Sequence, residues 1–265
     1  MQTRANSSIN VKPTFKEKIS SAKPAIGTLL TIDAPDIAEI LSLVGFDWLF
    51  IDMEHGTFSV AAVQRMIQAM RGDCSALVRV PENSALWIKR VLETGCDGII
   101  VPLVNTADEA RRAVAAAKYP PLGIRGAGVA RAQAYGLSLA EYFATANERV
   151  AVIIQVEHVQ SVQNLDEILE VPGIDGVQIG PTDLSGSMNM LGQVTSAPVQ
   201  AMLTTIKEKC RARAMPFAMF VTNPDAAAKE IDDGCSFLAI GTDSIFLWSA
   251  AKNALKSAQT QLIGI

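Results

Sequence analysis

Residues 45–56 read Gly-Phe-Asp-Trp-Leu-Phe-Ile-Asp-Met-Glu-His-Gly. The first glycine is typical of the left-handed residue that ends a helix, and the apolar run after Asp47 is typical of a buried parallel strand. Carboxylates and an imidazole follow at the end of that run. A helix end, a strand and then chemically active side chains therefore succeed one another within a single short stretch.

The same transition recurs along the chain. Gly, one further residue and Asp occur at 45–47, 95–97 and 173–175, with a weaker Gly-Cys-Ser version at 234–236. Segments with helical spacing separate the apolar runs, and several open with a capping residue such as Thr106. The β-branched apolar runs predict eight strands, at 26–32, 48–52, 76–80, 98–104, 150–156, 176–179, 217–221 and 237–240.

This alternation over 265 residues predicts an α/β fold, a single-domain (β/α)8 TIM barrel. An open doubly wound sheet is the alternative, but no glycine-rich dinucleotide turn follows the first strand. We assign residues 1–12 to a flexible N-terminal arm and 13–265 to the barrel. An insertion at about 119–148 interrupts the alternation and is typical of a lid, a binding loop or an assembly surface, although it could also be ornamental.

Composition narrows the classes of partner. The net charge is -4 and the pI about 5.3, with scattered Lys and Arg, so we expect no nucleic-acid partner. No apolar run approaches the roughly 18 residues of a membrane span, and the N-terminal region lacks a secretory signal. The four cysteines stand far apart without a C-x-x-C pair. They predict free thiols in a cytoplasmic protein.

Chemically active side chains stand at the downstream ends of four predicted strands: His55, Arg79, Glu157 and Asp183. The carboxyl ends of parallel strands meet on one rim of a barrel, so we expect these residues to share a site. No lysine ends a strand, which argues against Schiff-base chemistry. Nucleophile elbows and a P-loop are also missing, and a metal with acid/base chemistry remains.

Each of these residues also has a plainer interpretation. Two carboxylates with open positions suit Mg²⁺ or Mn²⁺, but Glu157 could pair with an arginine and Asp183 could cap a turn. His55 suits proton transfer near neutral pH, although loop histidines often have no function. Arg79 suits an anionic substrate group, but it could instead form a structural pair with either carboxylate.

Several motifs, in the same order, resemble the HpcH/HpaI aldolase family over about residues 14–250: residues 46–49, 54–55, 78–79, 119–126, 155–157 and 179–185. The resemblance implies a class II pyruvate aldolase, a carbon–carbon lyase that reversibly cleaves a 4-hydroxy-2-oxo acid to pyruvate and an aldehyde through a metal-bound enolate. It implies Mg²⁺ as cofactor, with Mn²⁺ or Co²⁺ as alternatives. The small-molecule partners would be a 2-oxo acid and an aldehyde, with no membrane partner.

By this resemblance Glu157 and Asp183 match the metal ligands, His55 the acid/base residue and Arg79 the residue that steadies the enolate oxygen. The remaining matches are to residues around the substrate. Gln155 lies beside the pyruvate, the backbone at Thr182 and Asp183 holds its carboxylate, Glu93 replaces an aspartate that orients the histidine, and Asp52 lies near the metal waters.

The resemblance also implies a trimer-based hexamer with exchanged C-terminal helices. Phe246, Leu247, Trp248, Leu255 and Leu262 make the final helix apolar. Departures from the family pattern affect the aldehyde pocket, where Leu29 replaces a tryptophan. Rival functions are an acyl-CoA lyase of the citrate lyase β type, an oxaloacetate decarboxylase and a non-catalytic assembly protein. The sequence does not identify the aldehyde.

Overall fold

A computed structural model describes residues 12–263. Eight parallel strands form a closed barrel in which each strand pairs with the next and β8 pairs with β1. The predicted (β/α)8 barrel is thus confirmed. The strands are β1 (Ala25–Leu30), β2 (Trp48–Asp52), β3 (Ser75–Arg79), β4 (Gly98–Val101), β5 (Ala151–Val156), β6 (Gly176–Ile179), β7 (Phe217–Val221) and β8 (Phe237–Thr242).

Helices follow the strands and pack around the barrel, and one of them precedes β1. The insertion contains a 3-10 helix at Arg131–Gly136. The α-helices are α1 (Phe15–Ile19), α2 (Pro35–Val44), α3 (Val60–Ala69), α4 (Ala85–Leu92), α5 (Ala107–Ala117), α6 (Leu139–Arg149), α7 (Val159–Gln163), α8 (Leu165–Leu169), α9 (Pro181–Ser187), α10 (Ala197–Ala212), α11 (Pro224–Asp232) and α12 (Asp243–Ile263).

Two strands, β1 and β4, end two or more residues earlier than the apolar pattern predicts. The run at 98–104 predicted a longer β4, but Pro102 has no N–H for the sheet and Leu103 adopts a positive φ of 52°. β1 ends at Leu30 because the N–H groups of the next two residues donate to the carboxylate of Asp243. Side-chain acceptors thus replace the sheet at this edge.

The recurring Asp before a strand has a structural role. Asp47 Oδ2 accepts a hydrogen bond from Ile26 N–H at 2.8 Å. Asp97 and Asp175 make the same contact with the start of β3 and of β5, each at 2.8 Å. The glycines two positions earlier all have positive φ, as expected of helix ends. Each Asp therefore fixes the start of its own strand against the preceding one.

Helix α1 closes the amino-terminal end of the barrel. Phe15 is fully buried, with its ring 5.6 Å from that of Trp48 and 5.5 Å from that of Phe237. Aromatic pairs at such separations add to the free energy gained by apolar burial. The barrel interior is thus filled at this end by a side chain from outside the eight strands.

Lysines beside Phe15 contact the strand-opening carboxylates. Lys16 Nζ lies 2.8 Å from Asp175 and Lys12 Nζ lies 3.4 Å from Asp97. Residues 1–11 of the expected flexible arm lie outside the described residues, whereas Lys12, the last residue of that arm, forms this contact. The positive charges of these lysines therefore lie close to the negative charges of the Asp residues at the amino-terminal end of the barrel, called the barrel floor below.

The helices and the cysteines test two further predictions from the sequence, the lack of a membrane span and the presence of free thiols. Between residues 12 and 263, no helix combines the length and the hydrophobicity that a membrane crossing requires. The four cysteines are free and buried. Burial raises the pKa of all four thiols to about 12, so they remain protonated and weakly reactive at neutral pH.

Candidate active site

A cavity of about 130 Å³ opens at the carboxyl ends of the strands. Its apolar lining comes from residues including Leu29, Phe50 and Phe220. A larger cavity, of about 710 Å³, lies at the insertion and contains none of the predicted site residues. We therefore place the chemistry in the smaller cavity, whose polar lining is Arg79, Gln155, Gln178, Thr182 and Asp183.

Arg79 ends β3 and is buried against a carboxylate on β2. Its Nε donates to Asp52 Oδ1 at 2.9 Å and its Nη2 to Asp52 Oδ2 at 2.6 Å. Burial favours a higher pKa for Asp52, but the hydrogen bonds and charge of Arg79 outweigh it and leave this pKa below its ordinary value. The pair is therefore ionic, and Arg79 pairs with Asp52 rather than with Glu157 or Asp183.

The other end of the guanidinium faces the cavity. Arg79 Nη1 donates to Gln155 Oε1 at 3.3 Å and lies 3.1 Å from Glu54 Oε2. Burial acts to lower the pKa of Arg79, but Asp52 and Glu54 raise it above its ordinary value. A permanent positive charge is thus fixed at the cavity wall.

Asp52 also positions the turn that carries His55. Its Oδ1 accepts the N–H of Glu54 at 3.1 Å and the N–H of His55 at 3.3 Å. The imidazole itself is largely exposed, and its Nε2 lies 3.9 Å from Glu54 Oε2. One carboxylate therefore connects the arginine and the predicted acid/base residue.

Sequence reasoning missed Glu54. Its side chain is 17% exposed, and its buried Oε2 accepts no hydrogen bond among the described residues. Burial raises the pKa of Glu54; the charge of Arg79 opposes this rise, and the charges of Asp52 and Asp183 add to it. The available signal was its position between two predicted site residues in the 52–55 turn.

Glu157 lies just past β5 and is buried. Its Oε1 accepts Leu103 N–H at 2.8 Å, and its Oε2 accepts Gln155 Nε2. Burial raises the pKa of Glu157; the Leu103 hydrogen bond opposes this rise, whereas the charges of Glu54 and Asp183 add to it. The carboxylate is therefore held in place within an excess of negative charge.

Asp183 differs from the expected strand-end position. β6 ends at Ile179, and Asp183 lies exposed in the first turn of α9. Thr182 is exposed beside it. Both line the cavity with Gln155, so the structure brings them to the predicted site by way of a short turn rather than a strand.

The carboxylates of the cavity fit a hard divalent cation. No group of three or more His, Cys, Asp or Glu residues with metal-binding geometry occurs within residues 12–263. A cation here would have protein ligands from Glu157 and Asp183 and open positions for water or substrate, as Mg²⁺ accepts. Gly180 leaves room beside them, because a Cβ at this position would lie 2.9 Å from Glu157 Oε2. The donor set and its uncompensated charge both favour a cation.

Glu93 is not brought to His55 within this chain. It lies at the end of α4, on the amino-terminal side of the barrel. Its Oε1 accepts Arg125 Nη2 at 3.1 Å and its Oε2 accepts Gln133 Nε2 at 3.0 Å. Its contacts therefore tie the insertion to the barrel, and the expected pair with the histidine is not formed.

A buried lysine also lies at that end. Burial lowers the pKa of Lys118 to about 8, and its Nζ donates to the carbonyls of Asn147 and Val150, both at 2.8 Å. Val150 precedes the start of β5, so this amine lies at the opposite end of the barrel from the cavity. The strand ends that line the cavity carry no lysine, as the sequence predicted.

A family model described as HpcH/HpaI aldolase/citrate lyase matches residues 26–250. The chain belongs to this family. Members of the HpcH/HpaI family depend on a divalent cation. As a member of this aldolase family, the chain is a carbon–carbon lyase.

Relatives of known name and structure agree with this assignment. A 5-keto-4-deoxy-D-glucarate aldolase from Salmonella arizonae is 36% identical over 231 residues, 86% of this chain and 90% of the relative. A solved HpcH/HpaI aldolase/citrate lyase family protein from Burkholderia cenocepacia is 30% identical, with a TM-score of 0.89, over 92% of this chain and 98% of its own. The HpcH/HpaI aldolase from Desulfitobacterium hafniense is 27% identical, with a TM-score of 0.85, over 93% of this chain and 96% of its own.

Proposed function

We propose that this family member cleaves a 4-hydroxy-2-oxo acid to pyruvate and an aldehyde. The observation that carries the proposal is the fixed cation at the cavity wall: Arg79, paired to Asp52 and bonded to Gln155. Cleavage of the C3–C4 bond leaves its electron pair on the pyruvate fragment, where the pair forms the C2–C3 double bond and the C2 oxygen becomes a negatively charged enolate oxygen. A preoriented guanidinium stabilises such a charge without reorganisation.

The metal of this proposal is Mg²⁺, with Mn²⁺ or Co²⁺ as alternatives. Glu157 and Asp183 would hold it. A bound divalent cation supplies Lewis acidity at the 2-oxo carbonyl of the substrate. The oxygen-only donor set supports Mg²⁺ over softer metals.

The remaining roles are assigned to this chain's own side chains. His55 takes the C4 hydroxyl proton through a water and returns one to C3. The hydrogen bonds of Asp52 to both Arg79 and the His55 turn support that role. Asp52 keeps Arg79 and the His55 turn in register. Gln155 and the backbone at Thr182 and Asp183 orient the oxo-acid end of the substrate.

The aldehyde fragment is the open part of the substrate. The name of the Salmonella relative makes 5-keto-4-deoxy-D-glucarate the first compound to assay. Leu29 and Phe220 give the cavity an apolar wall, which supports acceptance of less polar aldehydes as well. A panel of aldehydes graded in polarity distinguishes the two cases.

The experiment measures release of pyruvate from 5-keto-4-deoxy-D-glucarate, and the reverse condensation of pyruvate with the aldehyde panel. Oxaloacetate and an acyl-CoA ester of a 3-hydroxy acid test the decarboxylase and acyl-CoA lyase alternatives in the same assay. Cleavage of the oxo acid alone supports the aldolase. Turnover of oxaloacetate alone would indicate a decarboxylase instead, and turnover of the thioester alone would indicate an acyl-CoA lyase. No turnover of any substrate would favour an assembly protein.

We also propose a homo-oligomer, a trimer-based hexamer with exchanged C-terminal helices. All side chains from 250 to 260 on α12 are exposed. Helix α2 follows β1, the strand that pairs with β8. Three apolar side chains of α2 are largely exposed: Ile40 (55%), Leu43 (68%) and Val44 (68%). The exposed apolar face of α2 and the exposed side chains of α12 support pairing with a second copy. Leu262 lies outside the residues whose side chains are described.

The assembly is tested by truncation after Ser249, which removes the exposed part of α12. Light scattering should give a multiple of 28.3 kDa for the full chain and a smaller species for the truncated one. A full-length monomer with full activity would refute the proposed hexamer. Four buried free thiols support the further proposal of a cytoplasmic location.

A further inference from the structure

The loop after β4 contains a backbone conformation that its sequence does not favour. Leu103 has a φ of 52°, in the left-handed region that residues other than Gly, Asn and Asp rarely adopt. Its side chain is 53% exposed, so burial of the leucyl group does not stabilise this conformation. The stabilising contact lies in the backbone.

That contact is the amide hydrogen bond to Glu157. Leu103 N–H donates to Glu157 Oε1 at 2.8 Å, while Gln155 Nε2 donates to the other oxygen. Glu157 is 3% exposed, so the orientation of its carboxylate depends on these two donors. One donor is a side chain two residues earlier on β5, the strand that Glu157 follows, and the other is a strained backbone amide.

The rest of the loop keeps Leu103 in this conformation. Two residues further on, Asn105 N–H donates to Glu109 Oε2 at 2.7 Å, and Thr106 N–H donates to the same oxygen at 3.1 Å. The carbonyl of Asn105 accepts Asn164 Nδ2 at 2.9 Å. Strained residues persist where surrounding contacts determine the backbone, and they cluster at functional sites.

We propose that Leu103 is a positioning residue, whose left-handed backbone aims its amide at Glu157 and so fixes the orientation in which that carboxylate binds the divalent cation. This inference rests on the metal role assigned to Glu157 under the proposed function. This orienting effect comes from the backbone amide and does not depend on the leucyl side chain.

Substitutions at this position separate the backbone from the side chain. Leu103→Ile keeps every atom type but adds a β-branch, which disfavours positive φ, whereas Gly and Asn tolerate it. Calorimetric titration of metal-stripped protein with Mn²⁺ should show a 10- to 100-fold weaker Kd for Leu103→Ile, roughly the loss typical of a removed ligand-orienting bond. Leu103→Gly and Leu103→Asn should stay within about two-fold of the wild type.

Leu191→Ile is the matched control, because Leu191 is 71% exposed and lacks a positive φ. Wild-type affinity in Leu103→Ile would overturn the proposal, and so would equal losses in the Ile, Gly and Asn variants. If circular dichroism shows that Leu103→Ile does not fold, the other two decide: retained affinity supports the proposal and lost affinity overturns it. A Glu157→Ala variant that binds Mn²⁺ like the wild type would instead refute the metal role itself.

Discussion

Replacing Asp52 by Asn should destabilise the protein and inactivate it together. The change removes a charge that is 2% exposed and accepts hydrogen bonds of 2.9 and 2.6 Å from Arg79. Bonds of this kind contribute roughly 1.5–3 kcal/mol each, and removing one partner of a buried pair costs about 3–5 kcal/mol. Glu54 and Gln155 still contact the guanidinium, so we expect the lower limit, about 3 kcal/mol.

For a chain of this size that loss corresponds to a fall in Tm of roughly 6–12 °C. The kcat/KM for oxo-acid cleavage should fall by about 10²-fold, because the guanidinium is no longer held at the cavity wall. Thermal unfolding and a pyruvate-release assay measure the two effects. Glu54→Gln is the control for stability: burial already disfavours the charged form of Glu54, so its neutral isostere should lower the free energy of unfolding by less than about 1 kcal/mol.

The effect of Asp52 has a defined dependence on pH. Its pKa is lower in the folded protein than the ordinary value of 3.8. Its stabilising contribution is therefore present above the unfolded pKa and is lost as the pH falls through the folded pKa. The Tm difference between wild type and Asp52→Asn should be constant from about pH 5 to 8 and shrink below about pH 4. A difference that grew on acidification, or a variant as stable as the wild type, would contradict the ionic pair.

Other predictions test the metal, the base and the barrel floor. EDTA should abolish cleavage and Mg²⁺, Mn²⁺ or Co²⁺ should restore it, whereas borohydride trapping of pyruvate on Lys118 would contradict metal chemistry. Glu157→Ala and Asp183→Ala should each lose metal, as calorimetry would detect. His55→Ala should lower turnover by roughly 10² to 10⁴ with unchanged Mn²⁺ affinity, and a wild-type rate would make the histidine structural. Phe15→Ala should cost about 3–5 kcal/mol in unfolding free energy without changing kcat at 25 °C, and a selective loss of kcat would contradict its purely structural role.

Much of the fold could be predicted from local pattern. The helix-ending Gly, the strand-opening Asp and the apolar run lie within a few residues of one another, so they can be identified from a single sequence. The sequence also marked Arg79, Gln155, Glu157 and Asp183, which line or adjoin one cavity. These residues lie at the ends of three strands or just past them, on β3, β5 and β6, and the geometry of a parallel barrel brings those strand ends together.

The residues whose roles the sequence did not predict depend on tertiary contacts rather than on local pattern. Glu54 is directed to Arg79 by the Asp52 turn, and that turn depends on contacts between separate strands. Leu103 has no side-chain signal, because its contribution is a backbone amide at positive φ. The partner of Glu93 is Arg125, which reaches it from an insertion whose path the sequence pattern does not determine. Contacts between distant segments thus account for each residue that the sequence left unassigned or misplaced.

The closure of the barrel floor by Phe15 has a consequence for biosynthesis. The ribosome makes α1 before β8, yet one of the aromatic rings that surround Phe15 belongs to β8. Helix α1 can therefore complete its docking only after β8, more than 200 residues later, has been translated. Until then Phe15 lacks one of its aromatic neighbours, and the translation of β8 couples the docking of α1 to the closure of the barrel.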